Sequence, residues 1–317
     1  MATAIAHPNI ALVKYWGKRD QTLNLPSTGS LSLTLDRFQT KTRVDLGVDS
    51  DTLVFNGRGV SGKEADRVFR HLDRMLGPRR RQAQVVSENN FPSAAGLASS
   101  SSAFAALTVA TAAEAGMELT PAELSVLSRQ GSGSACRSLW GGFVEWRRGM
   151  LEDGSDSHGL ALAPQDHWDV RMVVAVVAAG RKKVGSTEGM LRTMATSPMY
   201  PAWTTTWEKD VSQARQAVLD RDLEALGVAM ERSTLKMHSS MMTSDPPIRY
   251  WTGASVALMD VVEGLRAKGV GAWWTMDAGP NVKILCEASD ADRVAAAAGT
   301  FVSQVEVLAP GGPPQLV

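Results

Sequence analysis

Residues 89–107 read NNFPSAAGLASSSSAFAAL, an uncharged run of serine and alanine around one glycine. Such a run is either a slack linker or the front of a helix built to receive something negative. The continuation SSAFAALTVATAAEAG, alanine-rich with Phe104, Leu107 and Val109, points to a helix, because alanine is the best helix former. The serines then sit at its N-terminus, where hydroxyls cap free N–H groups and aligned peptide dipoles leave about half a positive charge. An anion is favoured at such a place. Gly96, just upstream, lets the backbone approach a ligand closely or take a positive φ. An ordinary capped helix on a sheet would use the same residues, so the neighbouring motifs have to decide. A Walker A loop is excluded, since no Gly-Lys-Ser/Thr occurs here.

The chain has 317 residues, beyond the ~250–300 at which single cores stop growing, so two domains are expected. With 44% hydrophobic and 21% charged residues it has a globular balance. Lys plus Arg equals Asp plus Glu at 33 each, so no overall field favours nucleic acid or an acidic membrane surface. Any anionic ligand must be held by local groups. The first residues lack the basic opening and apolar run of a signal peptide, and the longest apolar run, MVVAVVAA from Met172, is too short to cross a bilayer. Two cysteines, Cys136 and Cys286, make neither a disulfide framework nor a zinc site, which suits a reducing cytoplasm.

Alternation in SLSLTL places Leu31, Leu33 and Leu35 on one face of a half-buried strand. VDLGV and TLVFNG read as further strands close enough for hairpin pairing. From Gly62 to Leu76 the apolar residues follow helical spacing, with Arg and Asp between them, and Gly77-Pro78 stops the helix. Thr120-Pro121-Ala122-Glu123 is a capping-box start, with Gly131 ending that helix. GGFVEWRRG reads as a strand and turn, and residues 155–168 as a linker, with the boundary near Asp169. Beyond it come the strand VRMVVAVVAA and helices over 187–195, 207–241 and 256–268. The strands WWTMD and NVKILCE follow, joined by a tight turn, then a helix over 290–298 and a last strand near VEVLA. This order suggests a small α+β sandwich.

Three motifs carry chemistry. In NIALVKYWGKRD, Lys14, Lys18 and Arg19 lie beside Tyr15 and Trp16, so aromatic bodies shape a pocket that cations line; a lysine-bearing edge strand would look similar. SGSACRSLWGG brings Ser132, Gly133 and Ser134 before Arg137, hydroxyls and N–H groups suited to phosphate beside a guanidinium that matches a carboxylate. Cys136 reads as packing, since no histidine lies nearby in sequence to activate it. MDAGPNVKIL ends a strand on Asp277 before a Gly-Pro turn, where an aspartate often only bonds its own backbone.

PSAAGLASSSSA resembles the phosphate-binding loop of the GHMP superfamily of small-molecule kinases, with Ala98 where most of them carry a second glycine. GLASS is similar to the form found in diphosphomevalonate decarboxylases, and KYWGKRD, LNLP, SGSACRS and DAGPN also resemble segments of that family in order from Asn9 to Asn281. The resemblance implies an α+β, two-domain GHMP kinase fold. Its N-terminal half (1–168) would be ribosomal protein S5 domain 2-like and bind ATP, and its C-terminal half (169–317) a ferredoxin-like α/β sandwich carrying the catalytic aspartate, with a cleft between them.

It implies ATP-dependent conversion of mevalonate 5-diphosphate to isopentenyl diphosphate, ADP, phosphate and CO₂. Asp277, Lys14 and Arg137 are then the catalytic residues, with Arg137 on the substrate carboxylate. Tyr15, Lys18, Ser132, Gly133, Ser134 and, from VGSTEGM, Ser186 and Met190 would bind substrate. Ser93, Ala94, Gly96, Leu97, Ala98, Ser99 and Ser100 would hold the ATP phosphates, with Ser99 or Ser100 as the candidate protein ligand of Mg²⁺. His238, in MHSSMM, reads as structural. A cytoplasmic homodimer is expected. A mevalonate 5-phosphate decarboxylase, a mevalonate 3-hydroxyl kinase and a non-catalytic GHMP-fold binding protein are the alternatives.

Overall fold

The computed structural model describes residues 1–91, 99–178 and 183–317. Its helices are α1 (Lys63–Leu76), α2 (Ser99–Glu114), α3 (Pro121–Gly131), α4 (Ser186–Thr196), α5 (Tyr200–Asp220), α6 (Leu223–Met242), α7 (Gly253–Arg266) and α8 (Ala291–Gly299). A six-stranded sheet runs in the order 315–316, 2–6, 40–46, 83–89, 52–55, 58–60. A second, four-stranded sheet runs 159–163, 143–146, 30–34, 9–13, and a third runs 272–276, 282–287, 170–175, 305–308.

The layers follow from side-chain size. Every apolar side chain of α2 except Val109 is alanine, leucine or phenylalanine, and the helix is buried nearly all round. Its small residues let the six-stranded sheet approach on one side, through Ala4, Val44 and Val85, and the turn carrying Leu139 on the other. The second and third sheets share one core with α5 and α6 between them, where Ile10, Leu33 and Phe143 meet Val174, Val218, Met230 and Leu285. The outer face of the third sheet is covered by α7 and α8 through Leu258, Val262, Val294 and Ala298. The chain end returns to the first half, where Gln315 and Leu316 pair with Ile5 and Ala4. No helix among the described residues is long and apolar enough to cross a membrane.

Several sequence expectations differ from what is observed, each for a local reason. The strand Ser30–Thr34 is buried on both faces, because protein rather than water covers its hydroxyl face, where Ser30 accepts from Arg137 and Thr34 donates to Trp140 O. Strand 40–46 pairs with 2–6 and 83–89, and strand 52–55 hairpins with 58–60 and runs parallel to 83–89, so the expected hairpin between 40–46 and 52–55 does not form. The predicted linker contains the strand Gly159–Ala163, paired with Phe143–Trp146. The long helix over 207–241 is two helices, broken where Arg221 takes φ 57° and Asp222 caps α6 through Ala225 N. The capping box at Thr120 and Glu123 forms as expected.

Candidate active site

The strand Asn9–Val13 ends on Lys14, and the next turn is pinned from the other half of the chain. The indole of Trp203 donates to Trp16 O at 3.0 Å, and Tyr200 lies over Gly17, whose φ of +100° and lack of a Cβ are both needed there. Lys14 N donates to Ser233 Oγ of α6 at 2.9 Å. The Lys14 side chain, 1% exposed, reaches Ala11 O and Asp277 Oδ1, each at 2.8 Å. Asp277 stands where the strand Ala272–Met276 turns back, and the turn is tied down by Asn281 Oδ1, which accepts from Val177 N and Ala178 N. Residues 263 positions apart thus form one ion pair.

The electrostatics follow from burial. Burial alone would raise the Asp277 carboxyl, but the ammoniums of Lys14 and Lys283 outweigh it and hold the group well below the usual carboxylate range. Burial brings Lys14 down to about 8, against the pull of Asp277 and with help from Lys283. Across the cleft, Gly133–Leu139 is a 3₁₀ turn that carries Arg137, 2% exposed. Its Nη1 donates to Ser30 Oγ at 2.7 Å and its Nε to Asn9 Oδ1 at 3.1 Å. Asn9 in turn donates to Ser134 O and Ser138 Oγ, so it fixes both the guanidinium and the turn. A Cβ at Gly133 would lie 2.8 Å from Tyr15 Oη, so only glycine lets that ring pack there. The Tyr15 hydroxyl is buried with no hydrogen-bond partner among the described residues, and burial raises its pKa. Ser132 Oγ donates to Ser100 Oγ at 3.3 Å, joining the 3₁₀ turn to the front of α2.

These groups line one cleft of about 810 Å³. Asp277, Lys14, Arg137, Tyr15, Lys18, Ser132, Gly133, Ser134, Ser186, Met190, Ser99 and Ser100 all face it. Met190 also packs with Trp16 and Trp203. Ser93, Ala94, Gly96, Leu97 and Ala98 lie outside the described residues. Cys136 is buried, its thiol pushed up to about 12 by burial, so it is no nucleophile. His238 is buried too, brought down to about 3 chiefly by desolvation, and stays neutral.

The sequence reading missed Asn9, Lys283 and the rim. At the mouth, Arg67, Arg70 and Arg74 of α1 stand beside Lys18. Arg67 donates to Gly131 O and Arg74 to Gln130 O, capping the last carbonyls of α3. Lys18 Nζ holds Asn24 Oδ1 at 2.6 Å and is brought down to about 8 by burial and the charges of Arg67 and Arg74. Spacing of three and four residues along α1 was the available signal, but apolar patterning made that face look merely solvated.

No group of three or more His, Cys, Asp or Glu side chains among the described residues could hold a metal ion. Asp277 is already matched by two ammoniums. The donors at the front of α2 are the hydroxyls of Ser99 and Ser100, hard oxygens that fit a Mg²⁺ arriving on phosphates rather than a protein-only cage.

A cleft that opens on the N-terminus of a buried helix and draws its acid from the third sheet defines, in this fold, an enzyme of the GHMP kinase type. Residues 6–159 match the diphosphomevalonate decarboxylase-like N-terminal domain, and residues 172–309 match the mevalonate 5-diphosphate decarboxylase C-terminal domain. The chain is 41% identical to the diphosphomevalonate decarboxylase of Gibberella zeae over 93% of its own length and 83% of the relative's. The crystal structure of mevalonate diphosphate decarboxylase from Staphylococcus aureus superposes with a TM-score of 0.94 at 37% identity, covering 100% of this chain and 97% of that one. A structure of MDDEF in complex with MVAPP, AMPPCP and magnesium gives 0.93 at 38% identity, covering 100% and 98%. The chain belongs to the diphosphomevalonate decarboxylase family.

Proposed function

We propose that the chain decarboxylates mevalonate 5-diphosphate with ATP, giving isopentenyl diphosphate, ADP, phosphate and CO₂. The observation that carries this reading is the 2.8 Å contact between Lys14 and Asp277 at the foot of a cleft whose other wall holds Arg137 and the Ser132–Ser134 turn. A tertiary hydroxyl is crowded and weakly acidic, so it needs a carboxylate within hydrogen-bond reach. Asp277 orients that hydroxyl and takes its proton as the oxygen bonds to the γ-phosphorus and ADP leaves. Lys14, its ammonium fixed by Ala11 O, offsets charge on the moving phosphoryl group. The C–O bond then breaks toward phosphate, and the electrons of the bond to the carboxylate form the double bond as CO₂ departs.

Arg137 orients that carboxylate, its guanidinium held by Asn9 and Ser30 so that it does not follow the leaving group. Tyr15, Lys18, Ser132, Gly133 and Ser134 hold the distal diphosphate, with Ser186 and Met190 beside the carbon chain. Binding far from the reacting carbon supplies the energy that positions it. Ser93, Ala94, Gly96, Leu97, Ala98, Ser99 and Ser100 take the ATP phosphates, and Ser99 or Ser100 would help hold a Mg²⁺, which would neutralise phosphate charge. A homodimer in the cytoplasm completes the proposal.

Measuring CO₂ and ADP release side by side with mevalonate, its 5-phosphate and its 5-diphosphate tests the reading. Equal release of both products with the diphosphate is expected. ADP without CO₂ would mark a 3-hydroxyl kinase, preference for the monophosphate its decarboxylase, and no turnover with any of them a binding protein.

A further inference from the structure

The strand Val282–Glu287 reads VKILCE, and Val282, Ile284, Leu285 and Cys286 are all fully buried core residues. Lys283 sits among them at 0% exposure, with no route for its ammonium to reach water. Nothing in the folding of that strand needs a charge there, since an apolar side chain would serve the core better. Lys283 is paired across the hairpin with Thr275, whose hydroxyl meets Thr234 of α6, so both face the α6 side of the sheet. That direction takes Lys283 Nζ to 3.2 Å from Asp277 Oδ2. Both atoms are shut off from water, and this ion pair is the contact each makes among the described residues.

Two ammoniums therefore face one carboxylate, Lys14 on Oδ1 at 2.8 Å and Lys283 on Oδ2 in a longer ion pair. The other charged or titratable groups turned toward this cluster are Arg137 from the 3₁₀ turn and His238 from α6, the latter neutral. One positive charge stands in excess at the foot of the cleft even before Arg137 is counted. A carboxylate faced only by Lys14 would swing or protonate, since its Oδ2 is shut off from water, whereas a second ammonium fixes it and, with about four lone-pair directions on the two oxygens, still leaves one for a proton.

We propose that Lys283 is a positioning residue for the reaction: its ammonium, set on the buried Oδ2, keeps Asp277 ionised and turned so that the exposed part of its carboxylate faces the cleft, where it accepts the substrate hydroxyl proton. This rests on the decarboxylase reading above. As an anionic phosphoryl group enters, the two lysines divide their field between it and Asp277, and the carboxylate gains basicity at the moment it must take the proton.

The test is the pH dependence of CO₂ release by Lys283→Met and Lys283→Arg with mevalonate 5-diphosphate and ATP. For the methionine variant we expect kcat to fall at least ~10-fold with KM changed less than ~3-fold, since the loss is in proton transfer and not in binding. Lys283 helps hold Lys14 down, so in a Lys18→Arg background, where Lys14 alone sets the alkaline limb of kcat/KM, its removal should also move that limb upward by about one pH unit, the low end for a charge within ~6 Å. Lys283→Arg should restore the limb. An unchanged limb, or a limb that arginine fails to restore, overturns the proposal, because a core filler would lose stability without moving a titration. Should the methionine variant not fold, Lys283→Gln takes its place, and failure of both to fold marks Lys283 as a folding element and equally overturns it. A wild-type enzyme that releases no CO₂ sinks the decarboxylase reading itself, a result separable from any of these.

Discussion

The foot and the rim of the cleft both gather positive charge, but by different physics. At the foot, Lys14, Lys283 and Arg137 are buried and come from different sheets and turns around Asp277, with Lys14 fixed by Ala11 and Arg137 by Asn9 and Ser30. At the rim, Arg67, Arg70 and Arg74 are repeats of one helix face, exposed or nearly so, and two of them already cap α3. Charges at the foot act through low dielectric and are barely screened, while those at the rim are weakened by water and salt. The foot therefore suits bond-making and the rim suits holding a distant anion.

Substitutions should separate the two regions by size and by kind of effect. Asp277→Asn removes the proton acceptor and leaves two unmatched ammoniums, so kcat should fall by at least ~10²-fold in steady-state turnover. Near-normal turnover would remove Asp277 from the chemistry. Arg137→Lys keeps a charge but cannot hold Asn9 and Ser30 together while facing a carboxylate, and a loss of ~10-fold or more in kcat/KM is expected. Equal kinetics for the two proteins would take Arg137 out of the site.

The pH profile tests foot and rim together. Lys14 and Lys18 are each brought down to about 8, so both are charged below that pH and lose their protons above it. The charged forms are the ones that meet phosphate, and kcat/KM should therefore decline as pH rises past about 8. Lys18→Arg should leave the part of this decline that belongs to Lys14. A profile flat well above pH 8 would mean that neither ammonium is needed.

Legibility in the sequence followed the same divide. Segments whose local chemistry is self-sufficient could be read directly: the capping box at Thr120, the alanine-rich helix behind the serines, and the 3₁₀ turn's Ser-Gly-Ser before Arg137. Pairing partners could not, because strand 40–46 chose 2–6 and 83–89 over its sequence neighbour for reasons of packing on α2. Lys14, Asp277 and Arg137 were named from motifs, but their meeting is a property of α5 and α6, which join the second and third sheets in one core. Lys283 stayed hidden because a lysine in an apolar strand normally carries its charge to water. Asn9 stayed hidden because a single amide at a strand start bears no pattern at all.

The smallest expected effect is the one that isolates the rim. Arg67 and Arg74 hold α3, so replacing either mixes binding with stability. Arg70 lines the same mouth and has no such bond to α3 among the described residues, which makes Arg70→Gln the cleaner change. An exposed cation of this kind contributes little, and KM for mevalonate 5-diphosphate should rise only about two- to fivefold with kcat unchanged. The difference from wild type should shrink as salt is raised through ~0.1 M and beyond, where the screening length falls to ~10 Å and less. A salt-independent rise would place Arg70 in direct, desolvated contact with the ligand, and the boundary between foot and rim would then have to be drawn further out along α1.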